Sequence, residues 1–463
     1  MTEWSRRAIL TAGIATTAAL ATGSAPLRSS LAMPAHWSDD LCESYAINTK
    51  SFYATSVYQH SDALFDLITD LGVRTIREKV TTGSSLGAET QRSMLVRLAE
   101  SGVRWHATVA TLADWPRAEQ ATDDALQVLT QFYGPRVDND LESLLHSLGG
   151  CNEIDGPVVD GAVDPQWAAH GRLMQQTLWQ RARADSAFDG VPVVGPSTRS
   201  DVTPERALML GDLSAWSDWG NAHMYNRGVS PTKGIDRHLA ILRPCFPDAE
   251  RWFFTETGYN DSRATNRGAT ISEDAAATYA IRGICDFFTR GSIYGRFELL
   301  DDPDQVDTST QQSINATSNP EAHYGLVAVP DSLSDASPDN WRRKPEFFAT
   351  RRFLRLMDDR GQRPRTHPLE AAVVSSEPLE ELVVQKRDGR HYLLLWRDVE
   401  VASQHPEARS VEVPAVSVSI RLRTARPAAV YLPRYRDQPV RTQPPRTELT
   451  VEVAGDLVIV EFG

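Results

Sequence analysis

The stretch Leu148-Gly149-Gly150-Cys151-Asn152-Glu153 decides how the chain is read. Its adjacent glycines make it a poor strand by composition, because glycine has no side chain to pack and weakens a strand interior. Its position argues otherwise. It falls fourth in a series of short apolar runs, each followed by a helical pattern. Upstream, Tyr45 to Asn48 reads as the first strand, and Leu64, Phe65, Leu67, Ile68 and Leu71 form the stripe of the helix behind it. Gly72 to Arg77 is the second strand, with Met94, Leu95 and Leu98 in its helix. Val103 to Ala110 is the third, followed by Ala125, Leu126, Val128, Leu129 and Phe132.

Downstream the alternation continues. Asp164-Pro165 and Thr203-Pro204 each set a capping residue before a proline at the first helical position. Val191 to Gly195, Asp218 to Tyr225 and Trp252 to Glu256 read as strands five, six and seven. Thr270 with Glu273 has the spacing of a capping box and opens a helix to Thr289. Ser292 to Leu300 is the eighth strand, and a helix from about Pro345 to Met357 closes the series. Eight strand–helix units over roughly 300 residues fit a (β/α)₈ barrel, here spanning residues 36–361. An open doubly wound sheet would carry a glycine-rich phosphate turn after strand one, and none is present. Asp301 to Asn340, rich in Asp, Ser, Thr, Asn and Pro, is expected as a long loop at the C-terminal mouth.

The texture changes after Gln362. Short alternating runs separated by proline-rich hinges follow: Glu380 to Gln385, His391 to Trp396, Ser410 to Val413, Val416 to Leu422, Ala428 to Leu432, Glu448 to Val453 and Leu457 to Phe462. That pattern predicts a C-terminal all-β sandwich over residues 362–463.

The 463 residues are 41% hydrophobic and 24% charged, which excludes disordered and fibrous classes. Lys plus Arg number 48 against 61 Asp plus Glu, a net charge of −13. An acidic chain without a long basic run argues against nucleic acid and toward a neutral or cationic small substrate. Ser5-Arg6-Arg7-Ala8-Ile9-Leu10 begins an apolar stretch to about Thr22. It resembles a twin-arginine export signal, assigned to residues 1–35, and implies a secreted, periplasmic or cell-wall-associated protein. A membrane helix needs about 20 apolar residues, so no stable membrane span is expected. Cys42, Cys151, Cys245 and Cys285 are widely spaced without a Cys-x-x-Cys, so zinc is not expected. Export permits a disulfide, and the spacing leaves its pairing open.

Barrel active sites form at the C-terminal ends of the strands. Glu153 ends strand four and Glu256 ends strand seven, opposite staves of the barrel, so both carboxyls can enter one pocket. A pair about 5 to 5.5 Å apart suits retaining glycoside hydrolysis, and one about 6.5 to 9.5 Å apart suits inversion. Asn152-Glu153 on strand four with Glu256 on strand seven resembles the clan A glycoside hydrolases, including families 5 and 39. The resemblance implies that Glu153 is the general acid/base, Asn152 binds the sugar 2-hydroxyl and Glu256 is the nucleophile. Arg77, closing strand two, is similar to the clan arginine that keeps the nucleophile ionised. His223 and Tyr225 resemble the His and Tyr beside it, and Tyr392-Leu393-Leu394-Leu395-Trp396 looks like the central strand of the clan's β-domain. Many clan members end strand eight with a Trp that floors the sugar; here the run is Arg296-Phe297-Glu298-Leu299-Leu300-Asp301-Asp302.

Bland roles compete at each position: Arg77 as a structural ion pair, His106 and His223 as core histidines, Glu298 as a loop anchor rather than a sugar contact. Trp115, Tyr259, Tyr324 and Trp341 fall in mouth-side loops, where an aromatic either packs or stacks on a sugar. The sequence therefore predicts an exported retaining glycoside hydrolase acting on a β-linked carbohydrate without metal or organic cofactor. A transglycosylase using the same pair and a non-catalytic carbohydrate-binding or cell-wall protein are the alternatives. His-Glu-x-x-His is absent, which disfavours a metal hydrolase.

Overall fold

A computed structural model describes residues 32–53, 56–159, 162–262, 270–302, 306–307, 312–313, 320–330, 337–403 and 409–463. The export signal assigned to residues 1–35 lies almost wholly outside them. Eight parallel strands close a barrel: β1 (Tyr45–Asn48), β2 (Thr75–Lys79), β3 (Arg104–Thr108), β4 (Leu145–Gly149), β5 (Val193–Val194), β6 (Trp219–Met224), β7 (Arg251–Thr257) and β8 (Ser292–Arg296). Closure is made by β8 on β1, with Tyr294, Gly295 and Arg296 opposite Tyr45, Ala46 and Ile47. The barrel interior is filled by Ala46, Val194, Phe253 and Ile293.

The fourth strand lies three residues earlier than its sequence suggests, because His146 and Ser147 are buried polar residues that mask it. The glycines that made it look poor are required where it ends. A Cβ on Gly149 would lie 2.6 Å from the Nε2 of His106, and one on Gly150 would lie 2.1 Å from the Oε1 of Gln175. Asn152 and Glu153 are therefore in the loop that leaves β4 rather than in the strand.

The helices follow their apolar stripes, and Pro345–Met357 forms as expected. The capping box needs a correction. Helix Glu273–Thr289 is capped by Ser272, whose hydroxyl accepts from the Ala275 N–H at 3.2 Å, while Thr270 donates to the Asn260 side chain at 3.1 Å. Helix Trp167–Ala184 likewise starts beyond Asp164-Pro165. The region after β8 is more structured than a loop: Leu300 bridges Val327, and Val327–Ala328 pairs with Arg342–Arg343.

The second unit is an antiparallel β-sandwich. Its strands are β9 (Leu369–Ser375), β10 (Glu380–Gln385), β11 (His391–Trp396), β12 (Val416–Tyr431), β13 (Arg441–Val453) and β14 (Val458–Phe462). The two runs expected around Val416 and Ala428 are one long strand, and Ser410 to Val413 makes only an isolated bridge from Ser410 to Ala402. Strand β12 pairs with β9 through its first half and with β14 through its second, so it turns the sheet over a shared core. Val383, Leu393, Leu395, Val460 and Phe462 enter that core. Their neighbours Leu382, Val384, Leu394, Trp396 and Ile459 enter the barrel's core instead. One layer is thus buried on both faces, which accounts for the unbroken apolar run His391–Trp396. Ala32–Met33 and Ala35–Trp37 pair with β9 and β10. The stretch on which the barrel unit was expected to begin therefore belongs to the sandwich sheet.

The two units meet along helix Glu273–Thr289. Arg282, fully buried, donates to the carbonyls of Val399 and Gly455 at 3.0 and 3.3 Å. The Trp396 indole donates to Asp286 at 2.9 Å, and Tyr279 donates to Glu400 at 2.8 Å. All four cysteines are buried and unpaired. Among the described residues no helix is long and apolar enough to cross a membrane.

Candidate active site

The barrel mouth gathers four of the expected residues around Glu256. Strand β7 ends in Glu256-Thr257, and β6 places His223 directly opposite Glu256 in register. Arg77, from β2, donates through Nη1 to Glu256 Oε1 at 2.7 Å and to Asn48 Oδ1 at 2.7 Å. Its Nη2 donates to Asn152 Oδ1. Tyr225 donates to the other oxygen of Glu256 at 2.9 Å. Burial by itself pushes the Glu256 carboxyl up, but the charges of His223 and Arg77, with the bonds from Arg77 and Tyr225, outweigh it and hold the group below the usual carboxylate range. An ionised acid in a closed pocket is the state a nucleophile needs.

Glu153 arrives differently. It takes a left-handed backbone conformation, φ 41°, which for a residue with a Cβ costs about 1–3 kcal/mol. The loop supports it. Glu153 N–H donates to Ser197 Oγ at 2.9 Å, Ser197 N–H to Cys151 O at 3.0 Å and Ile154 N–H to Ser197 O at 3.0 Å. Buried Asp155 accepts from Arg199 N–H at 2.8 Å and pairs with Arg206 at 3.1 Å. These ties between the loops after β4 and β5 turn the Glu153 carboxyl toward His223.

The roles of the His223 nitrogens follow from their partners. Asn221 donates its amide to Gly195 O at 2.9 Å, leaving its Oδ1 to accept the Thr255 hydroxyl at 2.8 Å. With its single proton committed, Thr255 Oγ1 accepts from His223 Nε2–H across 3.1 Å. Nδ1 then faces Glu153 Oε1 at 3.1 Å and Glu256 Oε2 at 3.4 Å. A hydrogen bond to Glu153 requires a proton, carried by the ring or by the carboxyl. One oxygen of each acid and a nitrogen of His223 all lie within 4.8 Å of one another.

Two expected residues stand apart. His106 is inside the barrel, with Nδ1 2.7 Å from Ser147 Oγ and its ring edge-on to Phe253; burial, then Arg77, drives it well below the usual imidazole range. Glu298 is fully buried rather than facing a sugar. It takes Lys50 Nζ at 3.0 Å and the Tyr58 hydroxyl at 2.7 Å. Burial pushes its carboxyl up to about 8, with Lys50 opposing and Asp302 adding to the rise. Phe297, at the end of β8, lies edge-on to Tyr225 and Tyr324 at 6.2 and 5.8 Å, with Lys50 Nζ 4.9 Å from its ring centre. Tyr259 packs on Tyr279 in a satellite core.

Sequence reasoning missed Asn48, Asn221, Thr255 and Ser197. Asn48 had a visible signal, a polar residue at the C-terminal end of a barrel strand. The other three act only through neighbours brought in by the fold. Glu153, His223 and Glu256 also have the make-up of a metal-ligand trio. Arg77 already supplies the positive charge at Glu256, and both Glu256 oxygens are occupied. A second trio, Asp261, Asp301 and His323, holds the Lys344 ammonium at 2.7 and 2.9 Å from its two acids.

The chain is similar to several solved glycoside hydrolases. With the GH39 enzyme from Xanthomonas axonopodis pv. citri it shares 13% identity and a TM-score of 0.56, over 93% of this chain and 95% of that one. With a monomeric β-xylosidase from Caulobacter crescentus CB15 the values are 13%, 0.52, 90% and 95%. With a glucosidase from Croceicoccus marinus they are 11%, 0.52, 86% and 91%. No family model and no curated protein matches the chain. The likeness is one of fold: the chain shares the barrel-and-sandwich architecture of these enzymes.

Proposed function

We propose that this chain is an exported glycoside hydrolase that cleaves O-glycosidic bonds of a β-linked glycan by double displacement with retention. The observation that carries the reading is the carboxyl pair. Oxygens of Glu153 and Glu256 lie within 4.8 Å of each other, and Arg77 and Tyr225 hold Glu256 ionised. Inverting enzymes keep their carboxyls about 6.5 to 9.5 Å apart to admit a water, so the closer pair favours direct attack by Glu256.

In this reading Glu256 attacks the anomeric carbon while Glu153 gives its proton to the departing oxygen. The ester at Glu256 removes its negative charge, and Glu153, now ionised, takes a proton from the incoming water. Asn152, with its carbonyl oxygen held by Arg77, has its NH₂ left to meet the sugar 2-hydroxyl. The acidic chain and the β-xylosidase and glucosidase among its structural relatives support a neutral β-glycan. The twin-arginine-like leader supports export.

Glu256→Ala tests it. The expected result is a loss on the order of 10⁴-fold or more in kcat, with partial recovery by azide and a glycosyl azide of inverted configuration. Loss without azide rescue removes Glu256 as nucleophile.

A further inference from the structure

We infer that Trp115 is the platform of a sugar-binding subsite on the leaving-group side of the cleft, taking a pyranose ring of the glycan. The inference rests on the hydrolase reading above and adds where the second sugar sits.

Trp115 is 38% exposed, unusual for a tryptophan in a chain whose other large aromatics are mostly buried. The imidazole of His170 stacks on one face with ring centres 3.6 Å apart and planes 7° from parallel, and among the described residues no ring stacks on the other face. The backing ring is itself fixed, because His170 Nδ1 bonds Asp164, which also accepts from Gln166 N–H at 2.8 Å. The turn Leu112–Arg117 that carries the indole is closed by a capping box. Asp114 accepts from the Thr111 hydroxyl at 2.8 Å and the Thr111 N–H at 3.2 Å, and Arg117 binds its other oxygen at 2.9 Å. Among the described residues the Trp115 indole N–H meets no acceptor. A partly exposed flat ring, held on one side and edged by a donor without an acceptor among the described residues, suits the apolar face and a hydroxyl of a sugar.

Position gives the subsite its role. The turn follows β3, at the C-terminal mouth, and packs against the hairpin Pro157–Val159 and Ala162–Val163 that leaves Glu153. The chain runs from Glu153 through that hairpin to Asp164 and His170 beneath the indole. Asp114 is close enough that its charge, after burial, helps push the Cys151 thiol up to about 12. Trp115 therefore belongs to the Glu153 flank, whereas Tyr225 and Glu256 come from β6 and β7. The acid protonates the departing oxygen, so the sugar beyond it lies on this flank.

The test uses the full chain in the Glu256→Ala background, titrated calorimetrically with β-linked gluco-, xylo- and manno-hexaosides. At least one hexaoside is expected to bind, on the order of fivefold to tenfold more weakly in Trp115→Ala and close to the parent in Trp115→Phe. In the active chain, Trp115→Ala should lower the ratio of kcat/KM for that hexaoside to kcat/KM for the matching glycosyl fluoride, which has no leaving-group sugar. Equal affinity in Trp115→Ala, an unchanged ratio, or no hexaoside bound by the parent overturns the subsite. Trp115-dependent binding without any release of sugar by the wild-type chain leaves the subsite standing and overturns the hydrolase reading instead.

Discussion

At the scale of single residues, Arg77 does more than neutralise a charge. It bridges Glu256, Asn48 and Asn152, so one guanidinium joins strand β7, strand β1 and the loop that leaves β4. Removing it has a signed consequence. With Glu256 as the proposed nucleophile, activity is expected to fall as pH drops through its pKa, which His223 and Arg77 keep low. Arg77→Met should move the acidic limb of the kcat/KM profile to higher pH by one or more units, an order-of-magnitude expectation for losing a paired cation. A limb that stays in place would assign it to another group. Glu153, Glu256, Asn152, His223 and Tyr225 were legible because each stands near or just past a strand end, where a barrel builds its pocket; Arg77, expected to close its strand, instead lies in the middle of Thr75–Lys79. Thr255 was not. It looks like one more buried β-branched strand residue until the fold aligns its hydroxyl with His223 and Asn221.

At the scale of elements, the helix Glu273–Thr289 joins the two units and buries an acid to do so. Asp286 accepts from Trp396 at 2.9 Å through one oxygen, while its other oxygen is buried without a partner. Burial pushes its carboxyl up to about 7, with Arg282 and Trp396 opposing. The usual aspartate value is about 3.9, so the folded chain binds this proton more tightly than the unfolded one. Its contribution is therefore most favourable below about pH 4 and is lost as pH rises toward 7, a span worth a few kcal/mol in order of magnitude. Asp286→Asn keeps the acceptor for Trp396 and should flatten that decline. Thermal melts at pH 5 and pH 8 should lie closer together in the variant than in the parent. Element boundaries were read best where burial is uniform or alternation strict. Glu380–Gln385 and His391–Trp396 match to the residue. The small Ala and Ser positions of Leu369–Ser375 weaken its apolar signal. Ala35–Trp37, a three-residue edge strand, carries no period at all.

At the scale of the molecule, the doubly buried layer of β10, β11 and β14 makes barrel and sandwich a single stability unit. Its outer face fills the sandwich and its inner face the barrel's core. A chain ending at residue 361 would bare the apolar faces of helices Glu273–Thr289 and Pro345–Met357. It should be insoluble or molten, and calorimetry of the whole chain should show one transition rather than two. Two resolved transitions would refute the coupling.

The pairing of Ala35–Trp37 with Val383–Gln385 has a further consequence in time. The earliest described strands are synthesised first, yet their partner emerges only after the barrel has been made. The ribosome thus delivers the barrel strands before the partner that Ala35–Trp37 needs, and this sheet edge cannot be fastened until Val383–Gln385 has emerged.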